Sequence, residues 1–241
     1  MFEIAGGIII AYIVLVTIPR IARYWETKMA FAKAYKVLDV IAKGAAPHIP
    51  DFTEIRKKAE AGDAKSQQIL GDMYYAGNGV KQDYAQSLKW FHKAAEQGNV
   101  DAQYGLGSAY DNGLGTKQDY KEAMKWYRMA AEQGDADAQS GLGLLYYEGK
   151  GVTQDFEEAY TWFYKSANQN TTAKMMLGAL YYEGNGVSQN FEEAYFWLTL
   201  SLPENPGSKG LQEKAARQLT PQQISNAEKR IAEWAQNLNA A

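Results

Sequence analysis

From Ala64 onward the chain keeps returning to the same pattern. Gly71, Gly107, Gly143 and Gly178 fall 36, 36 and 35 residues apart, and Tyr74, Tyr110, Tyr146 and Tyr181 keep that step. So do Trp90, Trp126, Trp162 and Trp197, and the Gly-x-Gly loops beginning at Gly77, Gly113, Gly149 and Gly184. The one deletion lies between Asn168 and Ala173, where the third copy reads NQNTTAK against EQGDADAQ in the second. A unit of this length is one supersecondary element, too small to bury its apolar face alone. It becomes stable by stacking on its neighbours, which makes the fold a solenoid.

Each copy resolves into two helices. The first runs from about Ala64 to Tyr75 in the first copy and ends at Gly77, a residue suited to a left-handed helix end. The second begins at Asp83, Asp119, Asp155 or Asn190, with Gln86, Glu122, Glu158 or Glu193 three residues later. That pairing predicts a capping box in every copy. Small residues at Gly71 and Ala94, with their equivalents, let the helices approach closely. The acidic series therefore reads as caps rather than catalytic carboxylates, since each sits in a separate unit about 10 Å from the next. The Gly-x-Gly loops follow helices rather than strands and lead into an acidic cap, which argues against a phosphate cradle.

The stretch LGDMYYAGNGVKQDYAQSLKWFHKAAEQG closely resembles the Sel-1-like repeat family, relatives of the tetratricopeptide repeat, and the resemblance extends over roughly residues 62 to 205. It implies an all-α fold, a right-handed superhelical solenoid of antiparallel helix pairs, used as an adaptor in signalling, secretion, envelope assembly or host contact. Four repeats are expected over residues 64–205. The fourth departs from the pattern at Leu198 and Ser201-Leu202-Pro203, where the stack finishes. Residues 29–63 read as a degenerate first unit and residues 206–241 as C-terminal capping helices, with Leu219, Ile224, Ala227, Ile231 and Trp234 as the last apolar stripe.

Ahead of the repeats, Ile4 to Ile18 reads IAGGIIIAYIVLVTI without a charge. A spanning helix takes ~20 mostly apolar residues, and ~17 suffice when flanking residues snorkel or the bilayer thins. Phe2, Ile21 and Ala22 extend the run, Arg20 and Arg23 can reach headgroups, and Tyr24 and Trp25 suit the interface. Glu3 precedes the run where a signal peptide would be basic, so residues 1–28 read as an uncleaved transmembrane anchor with a basic juxtamembrane segment. Arg20, Arg23, Lys28, Lys33 and Lys36 all follow the span, which places the body in the cytoplasm at the inner membrane. A periplasmic body is the alternative.

The chain lacks cysteine, has two histidines far apart in sequence, His48 and His92, and carries a net charge of −3. Thiolate chemistry is excluded, a histidine metal cluster has no local basis, and nucleic acid is not an expected partner. His92 stands where other copies have Arg128, Tyr164 and Thr199, which reads as solvated surface. No serine or threonine comes with a repeated His or Lys, so no catalytic residue, cofactor or metal is expected. The function that remains is a membrane-anchored adaptor that binds a protein or peptide. Alternatives are an immunity-type protein that neutralises a toxin at the membrane and, further off, an envelope hydrolase.

Three positions of the first helix vary together between copies: Gln68, Tyr104, Ser140 and Met175; Asp72, Ser108, Leu144 and Ala179; Tyr75, Asp111, Tyr147 and Tyr182. Spaced i, i+4 and i+7, they share one face, opposite the stack-facing Leu70, Gly71 and Tyr74. That face is expected to line a concave groove, with Asp72, Tyr75, Tyr104, Ser108, Asp111, Leu144, Tyr147, Met175 and Tyr182 as partner-binding residues. The topology is tested with C-terminal reporters: one active only in the cytoplasm should work, and activity of an export-dependent phosphatase there would reverse the orientation.

Overall fold

Nine Asp or Asn side chains punctuate the helical body. A computed structural model describes residues 51–240, and each of its first nine helices begins at such a residue, whose side chain accepts a backbone N–H of the first turn. They are α1 (Phe52–Glu60), α2 (Ala64–Ala76), α3 (Tyr84–Glu96), α4 (Val100–Asn112), α5 (Tyr120–Glu132), α6 (Ala136–Glu148), α7 (Phe156–Ser166), α8 (Thr171–Glu183) and α9 (Phe191–Ser201). A 3-10 turn at Pro206–Ser208 leads to α10 (Lys209–Ala216) and α11 (Pro221–Ala240). Among the described residues there is no strand, and no helix is long and apolar enough to cross a membrane. The expected span at residues 4–18, the basic segment behind it and residues 29–50 lie outside the described residues.

The expected capping boxes form by half. Asp83, Asp119, Asp155 and Asn190 donate their own N–H groups to the carbonyls of Tyr74, Tyr110, Tyr146 and Tyr181, at 2.9, 2.9, 3.0 and 2.9 Å. The cap amide is therefore already satisfied, and Gln86, Glu122, Glu158 and Glu193 have nothing to reach back for. The same bond ties the start of each second helix to the end of the first. A complete box occurs at α11, where Thr220 N–H donates to Gln223 Oε1 at 3.0 Å and Gln223 N–H to Thr220 Oγ1 at 3.3 Å.

Glycine positions set the helix separations. A methyl group at Gly71 would come within 2.6 Å of Phe91, at Gly107 within 2.4 Å of Tyr127, at Gly143 within 2.7 Å of Phe163 and at Gly178 within 2.5 Å of Leu198. Phe91 and Tyr127 also lie against Gly105 and Gly141 of the following units, where a methyl would stand 3.0 and 3.1 Å away. The second loop glycine docks one unit on the next. At Gly151, φ is +75° and a Cβ would fall 2.8 Å from the backbone of Tyr120, the first residue of α5, so both conformation and space require glycine.

The tryptophans bridge units. Trp126 packs with Phe91, Ala94 and Ala95 of one copy and Ala102 and Leu106 of its own, and Trp162 packs likewise with Tyr127, Ala130 and Ala131. A glutamine ladder follows the same path: Gln67, Gln103 and Gln139 donate to the carbonyls of Ala59, Ala95 and Ala131, and Gln97 and Gln133 donate to Gln67 and Gln103 at 2.7 Å. By this bond α1 stands toward α2 as α3 stands toward α4. At the far end Leu198 replaces the ring, and Leu219, Ile224, Ala227 and Ile231 pack against Ala194, Tyr195 and Leu198. Because Trp126 is 6% exposed and seals a contact between units, Trp126→Ala should cost ~3–5 kcal/mol in urea unfolding. An unchanged midpoint would place the ring outside the load path.

Candidate functional site

The first helices of the four repeats, α2, α4, α6 and α8, touch in succession and make one wall of the stack. On it two of the i positions lie deeper than a groove lining requires: Gln68 and Ser140 are 6% and 3% exposed, while Tyr104 is half-buried with its ring 5.8 Å from Tyr127. Gln68 donates to the Asp72 carboxylate. The i+7 positions repeat one motif. Tyr75, Tyr147 and Tyr182 meet Tyr84, Phe156 and Phe191 edge-on at 5.4, 5.3 and 5.5 Å, each pair joining the end of one helix to the start of the next. Leu144 and Met175 are half-buried against the core, and the Met175 sulfur accepts from Asn205 Nδ2 at 3.0 Å.

In the second copy that motif is broken by Asp111. Tyr127 Oη donates to Asp111 Oδ2 at 3.5 Å, and the Tyr127 hydroxyl also hydrogen-bonds Ser108. Burial lifts the Asp111 carboxyl above its usual range, with nearby Lys150 opposing and Glu148 adding to the rise. Burial raises Glu183 as well, against the hydrogen bond from Asn185. The Tyr147 hydroxyl is pushed up to about 12, first by burial and then by Glu183 and Glu148. This wall is thus aromatic and acidic, with Lys150 bound to Glu148 at 2.7 Å.

A second set of residues was invisible as a set in the sequence. His92 is not bare surface: it is half-buried, its Nε2 lies 3.2 Å from Tyr110 Oη and its ring 5.5 Å from Trp126, and burial lowers its pKa. Arg128 makes the equivalent reach one unit on, donating to Tyr146 Oη at 2.6 Å with its guanidinium 5.9 Å from the Trp162 ring. Tyr164 takes that place in the third copy, 6.0 Å from Trp197. His92 and Arg128 each span a Tyr–Trp pair, whereas Tyr164 meets the Trp197 ring and it is Tyr160 that reaches the Tyr181 hydroxyl, at 3.0 Å. Beyond Tyr164 the pair borders a cleft of about 440 Å³ between α7, α9 and α11, lined by aromatic rings with Glu193, Arg230 and Glu233. Its sequence signal is aromatics at columns that vary between copies: Tyr160 where Leu88, Met124 and Tyr195 stand, Tyr164 where His92, Arg128 and Thr199 stand, and Phe196 where Lys89, Lys125 and Thr161 stand. Among the described residues no three His, Cys, Asp or Glu side chains are grouped to hold a metal ion.

The family model described as Sel1 repeat matches residues 64–99, 100–135, 136–171 and 171–201. Among solved structures, a protective antigen present in uropathogenic Escherichia coli strains, displaying an SLR fold, is 39% identical, with a TM-score of 0.63 over 66% of this chain and 34% of that one. A Sel1 repeat protein from Oxalobacter formigenes is 33% identical, with a TM-score of 0.63 over 67% of this chain and 65% of that one. The chain therefore spans about a third of the first relative and just under two thirds of the second. No curated protein sequence matches the chain.

Asp111 generates a pH test. An acid whose folded pKa is raised stabilises the fold only where it is protonated, and that contribution is lost as pH rises from the unfolded value through the folded one. Asp111→Asn should therefore raise the melting temperature at neutral pH, and the gain should shrink toward acid pH, where wild-type Asp111 is protonated in both states. A gain that is the same at both pH values would assign the effect to packing rather than to the buried charge.

Proposed function

Since the chain belongs to the Sel1 repeat family, we propose that it is a non-catalytic adaptor, holding a peptide or helix of a protein partner along the wall formed by α2, α4, α6 and α8. One observation carries this reading: the residues that stack the units are held from copy to copy, while the side chains on this wall change and grade along it. Asp72, Ser108 and Asp111 stand beside Tyr75 and Tyr104 at one end, and Leu144, Tyr147, Met175 and Tyr182 make the other end more apolar. Drift on an unused surface gives no reason for such a gradient. Solenoids of this kind present extended surfaces to their partners, and tyrosine anchors often carry a large share of binding energy.

The uncharged run at residues 4–18, followed by basic residues, supports a further element of the proposal, a tether that keeps the partner beside the inner membrane on its cytoplasmic side. The experiment is a pull-down from detergent extract to identify the partner, followed by calorimetric titration of wild type and of Tyr147→Ala/Tyr182→Ala. The double variant should bind at least tenfold more weakly, about 1.4 kcal/mol, and a thermal melt should confirm that it is folded. A folded double variant with unchanged affinity would move the site off this wall.

A further inference from the structure

The cleft between α7, α9 and α11, which Tyr181 of α8 also lines, is built from residues other than those assigned to the wall above. Six rings, those of Tyr160, Tyr164, Tyr181, Phe196, Trp197 and Trp234, border it. They hold one another: Trp197 meets Trp234 at 5.2 Å, Phe196 meets Trp234 at 5.9 Å, Tyr160 stacks on Tyr164 at 5.9 Å, and the Tyr160 and Tyr181 hydroxyls are 3.0 Å apart. The site is built, yet Tyr164 remains 56% exposed.

The repeat supplies its own comparison. One unit earlier the Tyr146–Trp162 pair is covered by the guanidinium of Arg128, and the Tyr181–Trp197 pair is its exact equivalent 35 residues on. There the chain provides Tyr164 beside Trp197 instead, Tyr160 takes the bond to the Tyr181 hydroxyl, and the pair borders a cleft that contains no guanidinium from α7. Within the cleft a second guanidinium already rests on an aromatic wall: Arg230 lies 4.5 Å from the centre of the Phe196 ring and is bound to Glu193 at 2.8 Å. Glu193 pairs with that cation and Glu233 also lines the cleft, leaving the lining one negative charge in excess. Aromatic faces and surplus negative charge attract a flat, weakly hydrated cation and disfavour an anion.

We propose that this cleft binds the guanidinium of an arginine presented by a partner peptide, as a recognition site separate from the wall of first helices. Tyr164 supplies the exposed ring face, the nearly buried Trp197 ring lies beside it at 6.0 Å, and Glu233 supplies the second carboxylate. Arg230 with Glu193 closes one side and fixes the width of the opening. The test uses the full chain labelled with 5-fluorotryptophan, its resonances assigned by single Trp→Phe changes. It is titrated with N-acetyl-arginine methylamide and, in parallel, with the neutral isostere N-acetyl-citrulline methylamide. The arginine probe should shift Trp197 and Trp234 saturably at millimolar concentration or below, and citrulline should bind at least tenfold more weakly.

Tyr164→Arg should restore the arrangement of the preceding unit, abolishing the response to the probe without lowering the melting temperature. Glu233→Gln, whose side chain keeps its size, should weaken binding several-fold in a protein that melts as wild type does. No saturable shift, equal affinity for citrulline, or undiminished binding by folded Tyr164→Arg would each overturn the proposal. None of these outcomes bears on the wall of α2, α4, α6 and α8, whose test reads a different pair of residues.

Discussion

The stack depends on a missing methyl group beneath a ring. In each repeat the second helix lowers Phe91, Tyr127, Phe163 or Leu198 onto a glycine of the first helix, close enough that a Cβ could not be accommodated without displacement. A glycine inside a helix costs about 1 kcal/mol relative to alanine, whereas fully burying a large apolar side chain returns roughly 1.5–3 kcal/mol. Burial therefore wins at each site, and the helix pair is fixed at the separation the ring demands. Where the residue beneath the next unit is also glycine, as at Gly105 and Gly141, the same ring sets the spacing between units. The depth of one aromatic side chain is thus transmitted along the chain.

Polar groups at the unit boundaries follow that spacing. A buried polar group left unpaired costs about 1–3 kcal/mol, and the side-chain amides of Gln67, Gln103 and Gln139 are buried at the boundaries. They donate to the Ala59, Ala95 and Ala131 carbonyls, which also accept the backbone N–H of Gly62, Gly98 and Gly134, and Gln97 and Gln133 bond Gln67 and Gln103 from the other side. The ladder ends at Gln139: in the third copy Ser166 Oγ turns back to the Phe163 carbonyl, in the last Ser201 Oγ turns back to the Leu198 carbonyl and to Ser208 Oγ, and α11 packs on the apolar surface of α9. The ending is therefore a change of both apolar and polar partners.

The outer side of the junctions is less uniform, and there the protein has room to specialise. His92 and Arg128 cover successive Tyr–Trp pairs with an imidazole and a guanidinium, and in the third junction Tyr164 sets a phenol beside Trp197 while Tyr160 reaches the Tyr181 hydroxyl. All three meet the same demand, a planar group set against an indole with a hydroxyl nearby. The demand is met by covering in two junctions and by an open cleft in the third, so a framework built for stacking carries local differences at little cost to the stack. Asp111 shows the opposite case on the other wall. It replaces an aromatic that would pack edge-on, and its buried carboxyl is held above the normal range.

Four repeats, their helix boundaries, the caps that start the helices and the bridging tryptophans were legible in the sequence. The reason is that each follows from a short-range rule applied at a fixed period: an Asx at a helix start, a glycine at its end, an apolar stripe too small to be buried alone. What a single repeat could not reveal was decided between repeats. The return half of the capping box was lost because a tyrosine carbonyl from the preceding helix reached the cap amide first. His92 looked like surface because its partners, Tyr110 and Trp126, lie 18 and 34 residues further on, and a column of dissimilar residues hides a shared contact. Tyr160, Tyr164 and Phe196 were visible as departures from the pattern, but only packing against α11 gathers them with Trp234 around one space. Period and polarity, which the sequence carries locally, determined the units; contacts made across long stretches of chain decided which side chains meet and where an opening is left.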